Sequence, residues 1–246
     1  MPLFNSSRTV VVVAGAVAAF AAGCGNKPSA TTGDGLGSGT RPAAAAVQIP
    51  GVDRTQAARE GVTSLRDALA AQKAQVDRTS ATLMEVMQGQ GELVPSFQKY
   101  TLSIADAKAA RDRVQQQVEA MRARARDYIT GWEVEVYGVD DPELRRQAET
   151  RRNAVRANYS RINETVKASG AAYAQYETAA SDLQRFLAND LTKSGVTAAA
   201  TAAQKATQAG VELKARIDAA TTELDRVAGE MTPAGTATGG SAGTGR

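Results

Sequence analysis

The sequence predicts an all-α protein, an antiparallel four-helix coiled-coil bundle with a long projecting central hairpin. Two observations predict it. Apolar residues recur at alternating spacings of three and four along one unbroken stripe per segment, the mark of coiled-coil packing. The pattern breaks at three short stretches, "QGQG" at 88–91, "YGVDDPE" at 137–143 and "NDLTKSGV" at 189–196. Short connections make sequential helices antiparallel neighbours.

The breaks define helices over 54–88, 92–137, 142–192 and 197–230. The first carries Val62, Leu65, Leu69, Val76, Leu83 and Val86 on its stripe. The second carries Leu93, Phe97, Tyr100, Ile104, Ala107, Arg111, Val114, Val118, Met121, Ala125, Tyr128 and Trp132. The third runs through Val155, Tyr159, Ile162, Val166, Ser169, Tyr173, Tyr176, Ala180, Leu183 and Leu187, and the fourth through Leu213, Ile217, Ala220, Leu224, Val227 and Met231. Between the second and third helices, Asp141 suits an N-cap and Pro142 a first turn.

The stripes also fit one another. Folding each hairpin at its turn sets Val62 opposite Val118, Phe97 opposite Leu183, and Tyr173 opposite Leu213, and the pairs on either side follow in step. Agreement of turn position with stripe phase supports the bundle. In this register the first helix starts opposite residue 125 and the last ends opposite residue 155. The hairpin over 126–154 should therefore project by about 20 Å, at 1.5 Å per residue. The aromatics of the bundle lie on the second and third helices, which predicts that this hairpin is the better-packed half.

Residues 1–23 read as a lipoprotein signal peptide. Arg8 precedes an apolar run from Thr9 to Gly23, which is short for a membrane span of roughly 20 residues. It ends in Ala21-Ala22-Gly23-Cys24, small residues and then the chain's one cysteine. This resembles the bacterial lipobox, and the resemblance implies that Cys24 is the lipidation site, acylated with diacylglycerol and palmitate-type chains. Gly25 in place of aspartate points to the outer membrane rather than the inner, with the chain facing the periplasm. Residues 24–53 are a Gly/Ser/Thr/Ala/Pro tether with a typical span of about 30 Å. The bundle occupies 54–231, and 232–246 is a tail of the same low-complexity kind.

Composition excludes several functions. There is no histidine, the commonest general base and metal ligand. One cysteine forbids a disulfide framework or a multi-cysteine metal site. A formal net charge of only +3 lacks the concentrated basic face that nucleic acid requires. No glycine-rich loop follows a strand. No enzyme activity, cofactor or metal is expected, and no nucleic-acid partner. Tyr159, Tyr173 and Tyr176 can in principle stack a ligand, but at seam positions they read as core.

The hairpin tip is the strongest local feature. Acidic residues Glu133, Glu135, Asp140 and Asp141 crowd its apex, and arginines flank it on both helices. Trp132 and Tyr137 are candidate anchors for a partner, with Arg145, Arg146, Arg151 and Arg152 as candidate contacts to carboxylate or phosphate groups. The bland alternative is a solvated hairpin laced with intrahelical ion pairs. The expected role is a lipid-anchored structural or protein-interaction module of the envelope, held to the membrane through Cys24. The alternative is a membrane-surface or cell-wall binder using the arginines.

Four stretches, "GWEVEV" at 131–136, "PELRRQAETRR" at 142–152, Tyr159, and "LQRFLANDLT" at 183–192, carry a family resemblance. The chain resembles domain-of-unknown-function family 2959, uncharacterised helical envelope lipoproteins. The family commonly has lysine and histidine where this chain has Ala188 and Asn189. The resemblance implies the helical fold and the lipid anchor, and no catalytic residue.

Overall fold

The computed structural model describes residues 49–89 and 92–232. The segment read as a signal peptide, Cys24, most of the expected tether and nearly all of the expected tail lie outside the described residues.

The first helix, α1, spans Pro50–Gln88. It starts four residues before the expected boundary, because Pro50 fixes a helical φ at the first position and needs no N–H partner there. It ends at Gly89, whose φ of 59° is the left-handed cap that only glycine adopts without strain. The second, α2, spans Leu93–Val136, and the third, α3, spans Pro142–Asn189. The Asp141 carboxylate caps α3 by accepting from the amides of Glu143 (2.8 Å) and Leu144 (3.0 Å), as its position before proline predicts.

The predicted fourth helix is present as two pieces, α4 over Lys193–Ala198 and α5 over Ala200–Glu230. The division is slight. Ala199 keeps a near-helical conformation, and backbone bonds continue through it from Gly195 to Ala203 at 2.9 Å each. The helix starts earlier than predicted because the Thr192 hydroxyl caps it, accepting from the Gly195 amide at 3.0 Å.

Going round the bundle, α1 packs on α2, α2 on α3, α3 on α5, and α5 back on α1. The register agrees with the sequence where it can be checked. Tyr100 Oη donates to the Ala180 carbonyl at 3.2 Å across α2 and α3, the pairing the stripes demand. Gly210 meets the Tyr176 ring across α3 and α5, again in predicted register. On the α1–α2 face, Gln75 and Thr79 both donate to the Ser103 carbonyl at 3.1 Å, within two residues of expectation.

The closing face between α1 and α5 was not paired in the sequence. It carries an ion-pair ladder of Arg66 with Asp225 (3.1 Å), Lys73 with Asp218 (2.5 Å) and Asp77 with Lys214 (2.6 Å). Each step down one helix is matched by an equal step up the other, which fixes the antiparallel register.

The stripes form the core. Val62, Leu65, Leu69, Val76, Ile162, Leu213, Ile217 and Leu224 are fully buried. A second cluster at the turn end gathers Leu83, Val86, Tyr100, Leu183, Leu187 and Val196.

One expectation is reversed. The central pair, α2 and α3, meets least closely of the four neighbouring pairs. Tyrosines stand in its seam and keep the backbones apart. The closer contacts of α1 with α2 and of α3 with α5 are made by small residues, such as Gly61 against the Met121 backbone.

The projection expected over 126–154 is present on α3 but not on α2, because α1 starts earlier than predicted. On one side, α1 covers α2 nearly to its end, since Arg54 reaches Glu135. On the other, α5 stops at Glu230, beside Asn158. Residues 142–154 of α3, about 20 Å of helix, run on past it with mainly exposed side chains.

Candidate functional site

The hairpin end is built by three devices. The first is the Asp141 cap. The second is Arg145, whose Nε and Nη2 both donate to the Val139 carbonyl (3.2 and 2.8 Å), tying the turn to the first coil of α3. The third is a two-pronged ion pair across α1 and α2. Arg54 Nη1 and Nη2 donate to the two Glu135 carboxylate oxygens at 2.5 and 2.6 Å.

That fork depends on Gly131. A Cβ at this position would lie 2.7 Å from Arg54 Cδ, so the arginine stem crosses where glycine has no side chain. The hydrogen bonds raise the Arg54 pKa and lower that of Glu135 below the usual carboxylate range. Arg54 Nε is buried without a partner among the described residues.

Most of the acidic apex is engaged in structure, Asp140 being exposed and without an ion pair among the described residues. Glu133 takes Arg156 in a short contact and Arg152 at 3.4 Å. Glu143 accepts from Arg146 (2.5 Å) and Gln147 (3.0 Å), which lowers its pKa. Among the described residues, no group of three acidic, histidine or cysteine side chains is placed to hold a metal ion. No described helix is long and apolar enough to cross a membrane.

The six candidate contact residues divide. Tyr137 is 84% exposed at the end of α2. Arg145, Arg146 and Arg151 are also exposed, although Arg145 is held by the turn and Arg146 by Glu143. Arg151 also lines a hollow of about 200 Å³ with Tyr128, Val155, Asn158 and Met231.

Trp132 and Arg152 turn inward. Trp132 is partly buried against the core and stands edge-on to Tyr128, ring centres 5.6 Å apart. Its place on the apolar stripe already said so, and only part of its ring is left open to a partner. Arg152 is partly buried on Glu133, with Nε lacking a partner among the described residues.

Sequence reasoning missed two exposed apolar residues on the helices that flank the turn after Tyr137. Val134 is 69% exposed and Leu144 is 56% exposed. The signal was legible, since both are apolar residues off the stripe in an otherwise charged stretch. With Tyr137 they are the large exposed apolar side chains on either side of the turn, and Leu144 directly precedes Arg145 and Arg146 in sequence.

Searches of the curated proteins and of the solved structures find no match to this chain. A family model does match, over residues 45–231, which takes in every described helix. The chain belongs to DUF2959, described as a protein of unknown function.

Proposed function

We propose that this protein is a lipid-anchored component of the bacterial envelope, acylated at Cys24, and that it acts as a non-catalytic structural or interaction module. It faces the periplasm from the outer membrane, and its hairpin end docks on another envelope protein.

The observation that supports docking is the exposed trio Val134, Tyr137 and Leu144 on a turn held rigid by Asp141 and Arg145. A solvated hairpin has no need of three large apolar side chains at its end. Aromatic and arginine side chains are the groups that most often dominate protein interfaces. The tether joins the bundle at residue 49, at the same end as the fork of Arg54 and Glu135, so an anchor at Cys24 would keep this end nearest the membrane.

The test is photocrosslinking in cells from a reactive side chain at position 137. The expected result is a discrete protein adduct, lost when Leu144→Asp and Arg146→Glu are combined and retained in a Gln208 control variant. The same adducts from position 137 and from position 208 would overturn the docking assignment. Cys24→Ala should leave the protein unlipidated and out of the detergent phase; normal partitioning would overturn the anchor.

A second reading, attachment of the arginine-rich tip to a membrane or cell-wall surface, draws on the same exposed residues. Binding of the unlipidated protein to anionic vesicles, abolished by Arg145→Glu with Arg151→Glu, would favour it over a protein partner.

A further inference from the structure

The wide seam between α2 and α3 opens, halfway along the bundle, into a cleft of about 560 Å³. Its cause lies in the side chains. Tyr100, Tyr173 and Tyr176 fill the seam at one end, and Tyr128, Trp132 and Tyr159 at the other. Between them the facing residues are Val114, Val118, Val166, Ser169 and Gly170. The aromatics set a spacing that these smaller groups do not fill.

The floor of this cleft is polar. Gln72, on α1, occupies a core position between Leu69 and Val76 and is 2% exposed. Gln75, one turn on, donates to Ser103, whereas Gln72 has no hydrogen-bond partner among the described residues. Ser169, 3% exposed on the wall, likewise has none. Neither group is sealed off, because both line the open cleft and face whatever fills it, water or a ligand.

The rim is basic. Arg111, Arg122 and Lys167 surround the mouth, with Glu119 the one acid lining it. Arg122 is held by Glu119 (2.8 Å) and Asn163 (3.0 Å), and Arg111 by its neighbour Asp112 (3.2 Å). Lys167 is exposed and forms no ion pair among the described residues. A small-molecule site has this composition, with apolar walls, a few convergent polar groups, and a volume within roughly 300–1,000 Å³.

We propose that the α2–α3 cleft binds a small amphipathic carboxylate of the acyl-amide class. The apolar chain lies on Val114, Val118 and Val166, the amide meets Gln72 and Ser169, and the carboxylate meets Lys167 and the two arginines. This site is independent of the hairpin end and of the docking reading.

The test is calorimetric titration of the full mature chain with N-octanoylglycine, its neutral analogue N-octanoylglycinamide, and inorganic phosphate. N-octanoylglycine is expected to bind saturably at one site, and the amide and phosphate at least about tenfold more weakly. Gly170→Trp should abolish binding, because a Cβ at Gly170 meets no atom within 4 Å and the ring can enter the cleft without displacing the fold. Lys167→Glu should weaken the carboxylate at least about tenfold and leave the amide unchanged. Far-UV circular dichroism identifies any variant that fails to fold, and the other then decides. No saturable binding at millimolar ligand would overturn the proposal. So would equal binding of the neutral analogue or of phosphate, or an unchanged affinity in either folded variant.

Discussion

Gln72→Leu should stabilise this protein. The position lies on the apolar stripe of α1, between Leu69 and Val76, and the side chain is 2% exposed with no partner among the described residues. An amide held at the wall of an open cleft costs less than the about 1–3 kcal/mol of a sealed one, and burying leucine contributes about 1.5–3 kcal/mol. The amide touches the cleft, so water there offsets part of its cost, and leucine does not fill the whole space. A net gain of about 1–2 kcal/mol remains. For a domain of this size each kcal/mol moves Tm by roughly 2–4 °C, so the midpoint should rise by about 2–8 °C. Thermal and urea melts followed at 222 nm measure it. A loss of more than about 1 kcal/mol would refute the reasoning, because it would mean that the amide is already satisfied in the folded chain.

Other outcomes follow from the same buried groups. Tyr159→Phe should be neutral or stabilising by up to about 1 kcal/mol, since its hydroxyl is buried without a partner among the described residues, and Tyr176→Phe, whose hydroxyl has Thr79 as a neighbour, should be close to neutral. Tyr100→Phe should cost about 1 kcal/mol through loss of the Ala180 bond, and urea melts of the three rank them. Burial raises the pKa of Tyr100, Tyr159, Tyr173 and Tyr176. Their folded pKa lies above the unfolded value of about 10, so their contribution is intact below pH 10 and is lost as pH rises beyond it. Stability against urea should be flat from neutrality to about pH 9.5 and then fall steeply; a flat profile to pH 11.5 would contradict the burial. Gly131→Ala should leave Tm nearly unchanged, because a helical alanine gains about 1 kcal/mol while an exposed fork of this kind contributes about 0.2–1 kcal/mol. Amide exchange should nevertheless speed up over residues 50–57, where Arg54 no longer holds the start of α1 to Glu135.

Much of the fold was legible because coiled-coil packing is written in residue spacing. The stripes identified Val62, Ile162 and Leu224 as core, and the same phases set Tyr100 beside Ala180. The Asp141-Pro142 pair marked the start of α3 through local chemistry alone. Long-range polar contacts had no such signature. Arg54 and Glu135 are 81 residues apart, and nothing in their neighbours names the other. The α1–α5 ladder is of the same kind, because a charge on a helix surface has many candidate partners.

The candidate contacts at the tip divide between exposed and inward-facing side chains for a physical reason. Charge banding drew attention to the arginines, but banding does not say which side chains face inward. Trp132 and Arg152 sit in phase with the core stripe, whereas Val134 and Leu144 do not. The cleft was hidden differently. Spacing says which residues face one another, and only their combined volumes say whether they touch. Gln72 was passed over because a polar residue on an apolar stripe looks like a gap in the pattern.

The closing of α5 onto α1 has a topological consequence. Gly51 and Val52 line the same small hollow as Met231 and Thr232, so the first and last turns of the bundle lie side by side. The folded chain is thus nearly a ring with one seam, and its start and finish can be exchanged. A circular permutant that links Thr232 to Ile49 through a few glycines and opens between Gln88 and Leu93 keeps every helix whole. It also moves both free ends to the far end of the bundle. A lipid signal fused there would hang the molecule upside down, with the Tyr137 point carried about one bundle length from the membrane.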